Sequence, residues 1–283
     1  MKALIDADMP ANELGGVKGE DGEVLPWEVI APIAKGRFVS IFIQSEAGGY
    51  EAFLSRGDTF RHELATIQPY KGNRDPAKRP KWANRIKDMY HDVFNARWCD
   101  GYEADDAISM RQWNDYTALS VLGGGDEQYI KDNMNTVVCS RDKDLNTVPG
   151  WHFQWTLKRE KEKAQKRAQE LGEVYRDKPP YFVTLIQAIR NFYKQMLTGD
   201  PVDNIHGLYN VCPKSAWVKQ LDEMDNEADM YKHVVEKYKK YYAGKWYEWL
   251  TETGKLLHLW RKPNDIWLPP PERDNDWYEI YKV

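Results

Sequence analysis

Residues 136–144, Thr-Val-Val-Cys-Ser-Arg-Asp-Lys-Asp, limit what this chain can fold into more than any other stretch. Thr136, Val137 and Val138 are β-branched, and the run reads as a short buried strand. It breaks at once into two carboxylates, Asp142 and Asp144, one residue apart. In an open α/β sheet, ligands gather at the carboxyl ends of the strands. A strand that runs straight into Asp-x-Asp therefore presents acids at the edge where chemistry is done. Two carboxylates this close repel unless positive charge neutralises them, and a hard divalent cation such as Mg²⁺ is the common solution. Taken alone, the stretch reads first as a polar loop in which Arg141 and Lys143 balance the acids.

Three further acid clusters change that balance. Asp6 ends the apolar run Ala3-Leu4-Ile5, which reads as a first strand running through residues 2–8. Glu103, Asp105 and Asp106 stand at the start of a predicted helix, where free N–H groups and the helix dipole favour negative charge. Asp200 and Asp203 flank an Asp-Pro turn. Each cluster has a structural explanation of its own. Together they describe a site that needs metal ions, and two ions about 3.5–4 Å apart are the recurring arrangement for phosphodiester hydrolysis. A basic stretch supplies the complement: Lys71, Arg74, Lys78, Arg79, Lys81 and Arg85, with Tyr70 and Trp82 among them. Such a segment draws in a phosphate backbone, and its aromatics suit stacking on unpaired bases. A solvated charged loop accounts for the same composition.

The 283 residues suffice for one large domain or two modest ones. Charged residues make up 30%, mean hydropathy is −0.75, and no apolar run approaches membrane-span length, so a soluble chain with no membrane partner is expected. Cys99, Cys139 and Cys212 lack zinc-type spacing and are odd in number, which suits a reducing cytoplasm. The net charge of −4 does not exclude DNA, because acids clustered in one site leave bases free on another face.

Along the chain, Pro10 and the Gly/Glu-rich residues to position 23 predict a loop. Residues 39–43 predict a strand, Gly48-Gly49 a turn, and residues 50–54 a strand pairing back as a hairpin. Helices are expected over residues 81–94, from Glu103 onward, and over 185–197. Gly123-Gly124-Gly125 interrupts before the strand at 136. Residues 148–151 read as a turn, 158–173 as a charged solvated helix or loop, and 181–184 as a short strand. A boundary near residue 198 divides a catalytic α/β part (1–198) from a helical, aromatic part (199–283). The aromatics of the latter read as helix core.

In this order the pieces resemble the 5′-nuclease superfamily: phage 5′→3′ exonucleases, flap endonucleases and the 5′-nuclease domain of bacterial DNA polymerase I. They are Leu4-Ile5-Asp6; Thr59-Phe60-Arg61 with Pro69-Tyr70-Lys71-Gly72-Asn73-Arg74; Tyr102-Glu103-Ala104-Asp105-Asp106-Ala107; Cys139-Ser140-Arg141-Asp142-Lys143-Asp144-Leu145; and Gly199-Asp200 through Asp203-Asn204-Ile205 to Gly207. The resemblance covers most of residues 1–220 and is nearest the phage branch. It implies a PIN-like α/β fold whose mostly parallel central sheet is flanked by helices, with a helical arch and a C-terminal helix–three-turn–helix region. It implies two Mg²⁺ ions, with Mn²⁺ as a substitute. Asp6, Glu103, Asp105 and Asp142 match the acids of the first, Asp142, Asp144, Asp200 and Asp203 those of the second, and Asp106 belongs to the same group. Lys71 and Arg74 match bases that contact the scissile phosphate, so Asp6, Lys71, Arg74 and Asp142 are the catalytic candidates. Tyr70, Lys71, Arg74, Lys78, Arg79, Lys81, Arg85 and Lys214 are the DNA-binding ones. The implied activity is 5′→3′ exonuclease or flap endonuclease action on DNA, with RNA–DNA hybrids as a further substrate, in phage replication or recombination. The expected protein is a monomer in the host cytoplasm acting on a 5′ end, flap or nick. A catalytically weak DNA-structure-binding protein and a PIN-type ribonuclease are the competing classes.

Two departures from the family pattern stand out. Where many members carry a strand-end acid before Thr-Phe-Arg, this chain has Leu54-Ser55, with Asp58 out of register and Asp8 as another candidate. In the hairpin, which in the family often surrounds a K⁺ ion, Asn210 and Cys212 replace glycines. Asn tolerates positive φ, Cys less so.

Overall fold

A computed structural model describes residues 1–157 and 178–270, together with Glu160, Glu162, Lys163 and Lys166 between them. The charged stretch 158–173 lies mostly outside the described residues, as do residues 271–283. Six strands form one sheet: β1 (Lys2–Asp6), β2 (Gly49–Thr59), β3 (Arg97–Gly101), β4 (Thr136–Cys139), β5 (Gly150–Phe153) and β6 (Tyr181–Val183). Their order is β3-β2-β1-β4-β5-β6, parallel throughout except for antiparallel β6. The strand order reverses beside β1, where Ile5 pairs with Cys139. The residues that follow Ile5 and Cys139 thus emerge together at the switch point, where open α/β sheets bind ligands.

Period-two alternation splits the sheet's side chains between two cores. Ala3, Ile5, Val137 and Cys139 face one side, packed on α1 (Asp8–Leu14), α2 (Trp27–Gln44) and α4 (Ala83–Phe94). Leu4 and Val138 face the other, against α5 (Ala104–Leu122) and α6 (Glu127–Asn133). Near-continuous apolar strands are what a sheet covered on both faces requires. A third core gathers Tyr70 with α7 (Leu185–Thr198), α8 (Ala216–Gln220), α9 (Glu227–Tyr242) and α10 (Trp246–Leu257). It takes in residues on both sides of position 198. Trp217, Tyr242, Trp246 and Trp249 pack against it and Trp260 is buried, in keeping with helix core; Tyr241 is exposed. Among the described residues no helix is long and apolar enough to cross a membrane.

Several local expectations are corrected. The predicted loop after Asp8 contains α1, because Pro10 falls in the first turn, where its missing N–H costs nothing. Residues 39–43 belong to α2, not to a strand. This helix is apolar on nearly every side, and an apolar run without periodicity does not separate buried helix from strand. Gly49 opens β2, which lies parallel to β1 instead of forming a hairpin. Residues 150–153 are a strand, not a turn. The arch is helical only in α4. Between α3 (Phe60–Leu64) and α4, the chain is a strap with a single 3₁₀ turn, Pro76–Lys78.

Candidate active site

Asp6 leaves β1 buried, its Oδ1 accepting the N–H groups of Asp8 and Met9 at 3.0 and 3.3 Å and its Oδ2 the Ser140 hydroxyl at 2.8 Å. Glu103 caps α5, and Asp105 follows in its first turn. Past β4, Asp142 Oδ1 accepts the Asp144 N–H at 2.9 Å, and Asp144 accepts an amide N–H of Gln195 at 2.6 Å. Asp200 and Asp203 come from the hairpin of β7 (Gly199–Asp200) and β8 (Ile205–His206). This turn is possible only with glycines. Gly199 has φ +66°, and a Cβ on it would meet Gly207 N at 2.3 Å. All seven of these acids, and Asp8 with them, line one cleft at the carboxyl edge of the sheet.

Cations from the strap meet them. Lys71 pairs with Glu103 and lies 3.6 Å from Asp203, while Arg74 pairs with Asp203. Lys71 has φ +55°, an uncommon conformation for a side-chain-bearing residue, and its N–H is fixed by the Asp203 carbonyl at 2.8 Å. Asn73 donates to Pro201 O at 2.6 Å, and Asn204 to Pro69 O at 2.8 Å, so strap and hairpin hold each other. Lys143 lies 3.3 Å from Asp200, a local charge balance.

These surroundings separate the acids. Burial raises Glu103, but Arg61, Lys71 and the Tyr70 hydroxyl outweigh it and hold it at about 2. Burial, then the charge of Asp8, lifts Asp6 to about 7 against the Ser140 hydrogen bond. Burial with Asp142 and Asp200 lifts Asp144 to about 8. Burial with Asp6, Asp142 and Glu103 drives Asp105 well above the carboxylate range.

Two candidates are placed elsewhere by their partners. Asp106 is fully buried beneath the cleft, where Arg61 clamps both its oxygens at 2.7 and 2.9 Å and the N–H groups of Glu103 and Trp260 donate to it at 3.0 and 3.1 Å. Both of its oxygens are taken by these donors. Tyr70 is buried, so its ring is closed to a base. Its hydroxyl lies 2.7 Å from Glu103 Oε2 and 2.8 Å from Asp203 Oδ2, joining acids of two elements. Lys81 and Arg85 lie over Trp82 and Trp27, 4.7 and 4.2 Å from the ring centroids, and cover faces on which a base would stack. Lys78 and Lys214 are exposed, and Arg79 is 3.5 Å from the Asn84 side chain. In the hairpin Asn210 adopts φ +60° and Cys212 does not, as their side chains dictate.

Arg61 is the residue whose role sequence reasoning missed. It is fully buried, lies 3.3 Å from Glu103, and donates to the carbonyls of Leu256 and His258 at 2.9 and 2.8 Å. Only its place in Thr-Phe-Arg marked it.

The donor set suits a hard cation, because it contains carboxylate oxygen and neither His nor Cys. Asp105 has no hydrogen-bond or ion-pair partner among the described residues. No three His, Cys, Asp or Glu side chains among the described residues form a finished ligand group, and Lys71, Arg74 and Lys143 pair with Glu103, Asp203 and Asp200.

No family model matches the chain, and no curated protein matches it. Solved structures do. The bacteriophage T5 D15 flap endonuclease, in a pseudo-enzyme–product complex with DNA and metal ions, superposes with a TM-score of 0.55 at 15% identity, over 91% of this chain and 89% of that one. The T5 5′-exonuclease with divalent metal ions (zinc) bound gives 0.53 at 16% identity, over 92% and 89%. T5 D15 protein co-crystallised with metal ions gives 0.53 at 15%, over 91% and 89%. The α/β architecture, with its mostly parallel six-stranded sheet flanked by helices, is that of these 5′-nuclease structures.

Proposed function

We propose that this chain is a divalent-metal-dependent 5′-nuclease, a 5′→3′ exonuclease and flap endonuclease hydrolysing DNA, and RNA–DNA hybrid, phosphodiesters near a 5′ end. The observation that carries the reading is the cleft, where acids from four segments meet at the sheet's switch point opposite Lys71 and Arg74. The T5 proteins bound to DNA and metal ions share this fold and support the same substrate class.

Asp6, Glu103, Asp105 and Asp142 would hold one ion and Asp142, Asp144, Asp200 and Asp203 a second; Asp106 supports Glu103 from beneath. Two ions so held would supply the activated water and the charge neutralisation of phosphodiester hydrolysis. Lys71, paired with Glu103, and Arg74, paired with Asp203, would contact the scissile phosphate, and Lys71 would stabilise charge developing on it. Lys78, Arg79, Lys81 and Arg85 lead the backbone toward the cleft, and Lys214, past the hairpin, meets the duplex. The products are a 5′-phosphate and a 3′-hydroxyl.

One observation favours a second reading, a DNA-structure-binding protein of low activity: on the β2 side Leu54-Ser55 stands where an acid is expected, and Ser55 lines the cleft. Labelled 5′-flap, nicked, blunt and single-stranded substrates, with Mg²⁺ or EDTA, separate the two. The nuclease reading expects ion-dependent release of 5′ fragments, lost by about 10²-fold or more in Asp142→Ala while DNA binding survives. It also expects Lys71→Ala to lower turnover more than affinity. Near-wild-type turnover in Asp142→Ala would sink it.

A further inference from the structure

Asp8 opens α1 two residues past Asp6 and lines the same cleft. We propose that Asp8 supplies the carboxylate on the β2 side of the first ion's ligand group, and that Lys87 is the counter-charge it releases when an ion binds. The proposal rests on the metal-dependent reading above.

Three observations carry it. First, Asp8 is anchored at the edge of the cleft. Its Oδ2 accepts the Ser55 N–H at 3.0 Å, and the Ser55 hydroxyl accepts the Ala104 N–H at 2.9 Å. That chain joins the ends of β1 and β2 to the helix turn that carries Asp105. Second, the other oxygen has one exchangeable partner. Oδ1 is buried and lies 2.8 Å from Lys87 Nζ, from α4, with no aligned hydrogen bond besides that ion pair. A lone ammonium on one carboxylate oxygen is a point charge that another cation can replace. Third, β2 offers no acid of its own there. Just past its last pairing with β1, at Phe53, the strand brings Ser55 to the cleft. Asp58, the acid farther along β2, is 93% exposed, lies 3.8 Å from His62, and does not line the cleft. The acid on this side therefore comes from the first turn of a helix, not from the strand.

The test is Mn²⁺ titration of the full chain without DNA, followed by the electron paramagnetic resonance signal of free Mn²⁺. Asp8→Asn keeps an acceptor for the Ser55 N–H while removing the charge. It should weaken the tighter Mn²⁺ class by about 10-fold or more. Lys87→Met should act in the opposite sense, tightening it by about 3–10-fold, because the competing cation is gone. Asp58→Asn should match the wild type. If Asp8→Asn does not fold, the sign of the Lys87→Met shift carries the test. Wild-type-like titrations from both Asp8→Asn and Lys87→Met, with Asp142→Asn still impaired, would overturn the role of Asp8 and leave the nuclease reading standing. A wild type that takes up no Mn²⁺ would overturn both.

Discussion

At the scale of single residues, the cleft shows acids of one chemical type pushed apart by what faces them. Glu103 meets Arg61 and Lys71 and stays ionised; Asp6 and Asp144 meet burial and other acids and hold protons to about 7 and about 8. The consequence for stability has a definite sign. The folded chain retains protons on Asp6 and Asp144 at pH values where the unfolded chain has released them. Their contribution is complete below the ordinary carboxyl range and is lost as pH rises through about 7–8. Glu103 acts in reverse, contributing above the ordinary range and losing that contribution as pH falls toward about 2. In EDTA, the melting temperature should therefore fall between pH 6 and about 8.5, and saturating Mg²⁺ should raise it more at the upper end. Scanning calorimetry at fixed ionic strength checks this. An EDTA profile that rises with pH would contradict it. Most of these acids were legible in the sequence, because each ends a strand or starts a helix. Asp106 was not separable from its neighbours. What withdraws it is Arg61, 45 residues away, and no local pattern encodes that pairing. Tyr70 misled for a related reason: among basic residues it resembles a stacking platform, and only tertiary packing buries it.

At the scale of elements, the strap and α4 are set by backbone contact with α1. The Trp82 N–H donates to Gly15 O at 2.9 Å, and a Cβ on Gly15 would lie 2.6 Å from Ala83 N. Gly15→Ala must move the start of the helix that carries Arg85 and Lys87, at a cost of about 1–3 kcal/mol. Gly16→Ala approaches Pro80 no nearer than 3.4 Å, ordinary van der Waals contact, and should be tolerated. Thermal melts of the two variants side by side decide this; equal melting temperatures would contradict the close approach. Elements with strong punctuation, such as α5 behind its Glu103 cap and α7 behind Thr184, were readable. The capless apolar α2 was not, because its run satisfies helix and strand alike. β3 (Arg97-Trp98-Cys99-Asp100-Gly101) and β5 (Gly150-Trp151-His152-Phe153) lack the β-branched apolar run that marks β4.

At the scale of the molecule, the three cores do not follow the division at residue 198. Phe192, Tyr193, Met196 and Leu197 are buried against the helices that come after them. A chain ending at 198 should expose that face and leave the Arg61 guanidinium without its Leu256 and His258 acceptors. It should lack a cooperative melt by circular dichroism, whereas the full chain has one. A cooperative, native-like transition in the shorter chain would contradict this.

The Arg61 contacts also set an order in time. On the ribosome, Leu256 is made 195 residues after Arg61, a delay of about 10–40 s at ordinary elongation rates. Until then the guanidinium beneath Glu103 lacks two of its acceptors, and the α5 cap it supports is not fully fixed. The nascent chain therefore passes the interval between Arg61 and Leu256 with the cleft unfinished, and the α5 cap is fixed only after the segment that follows α10 has joined it.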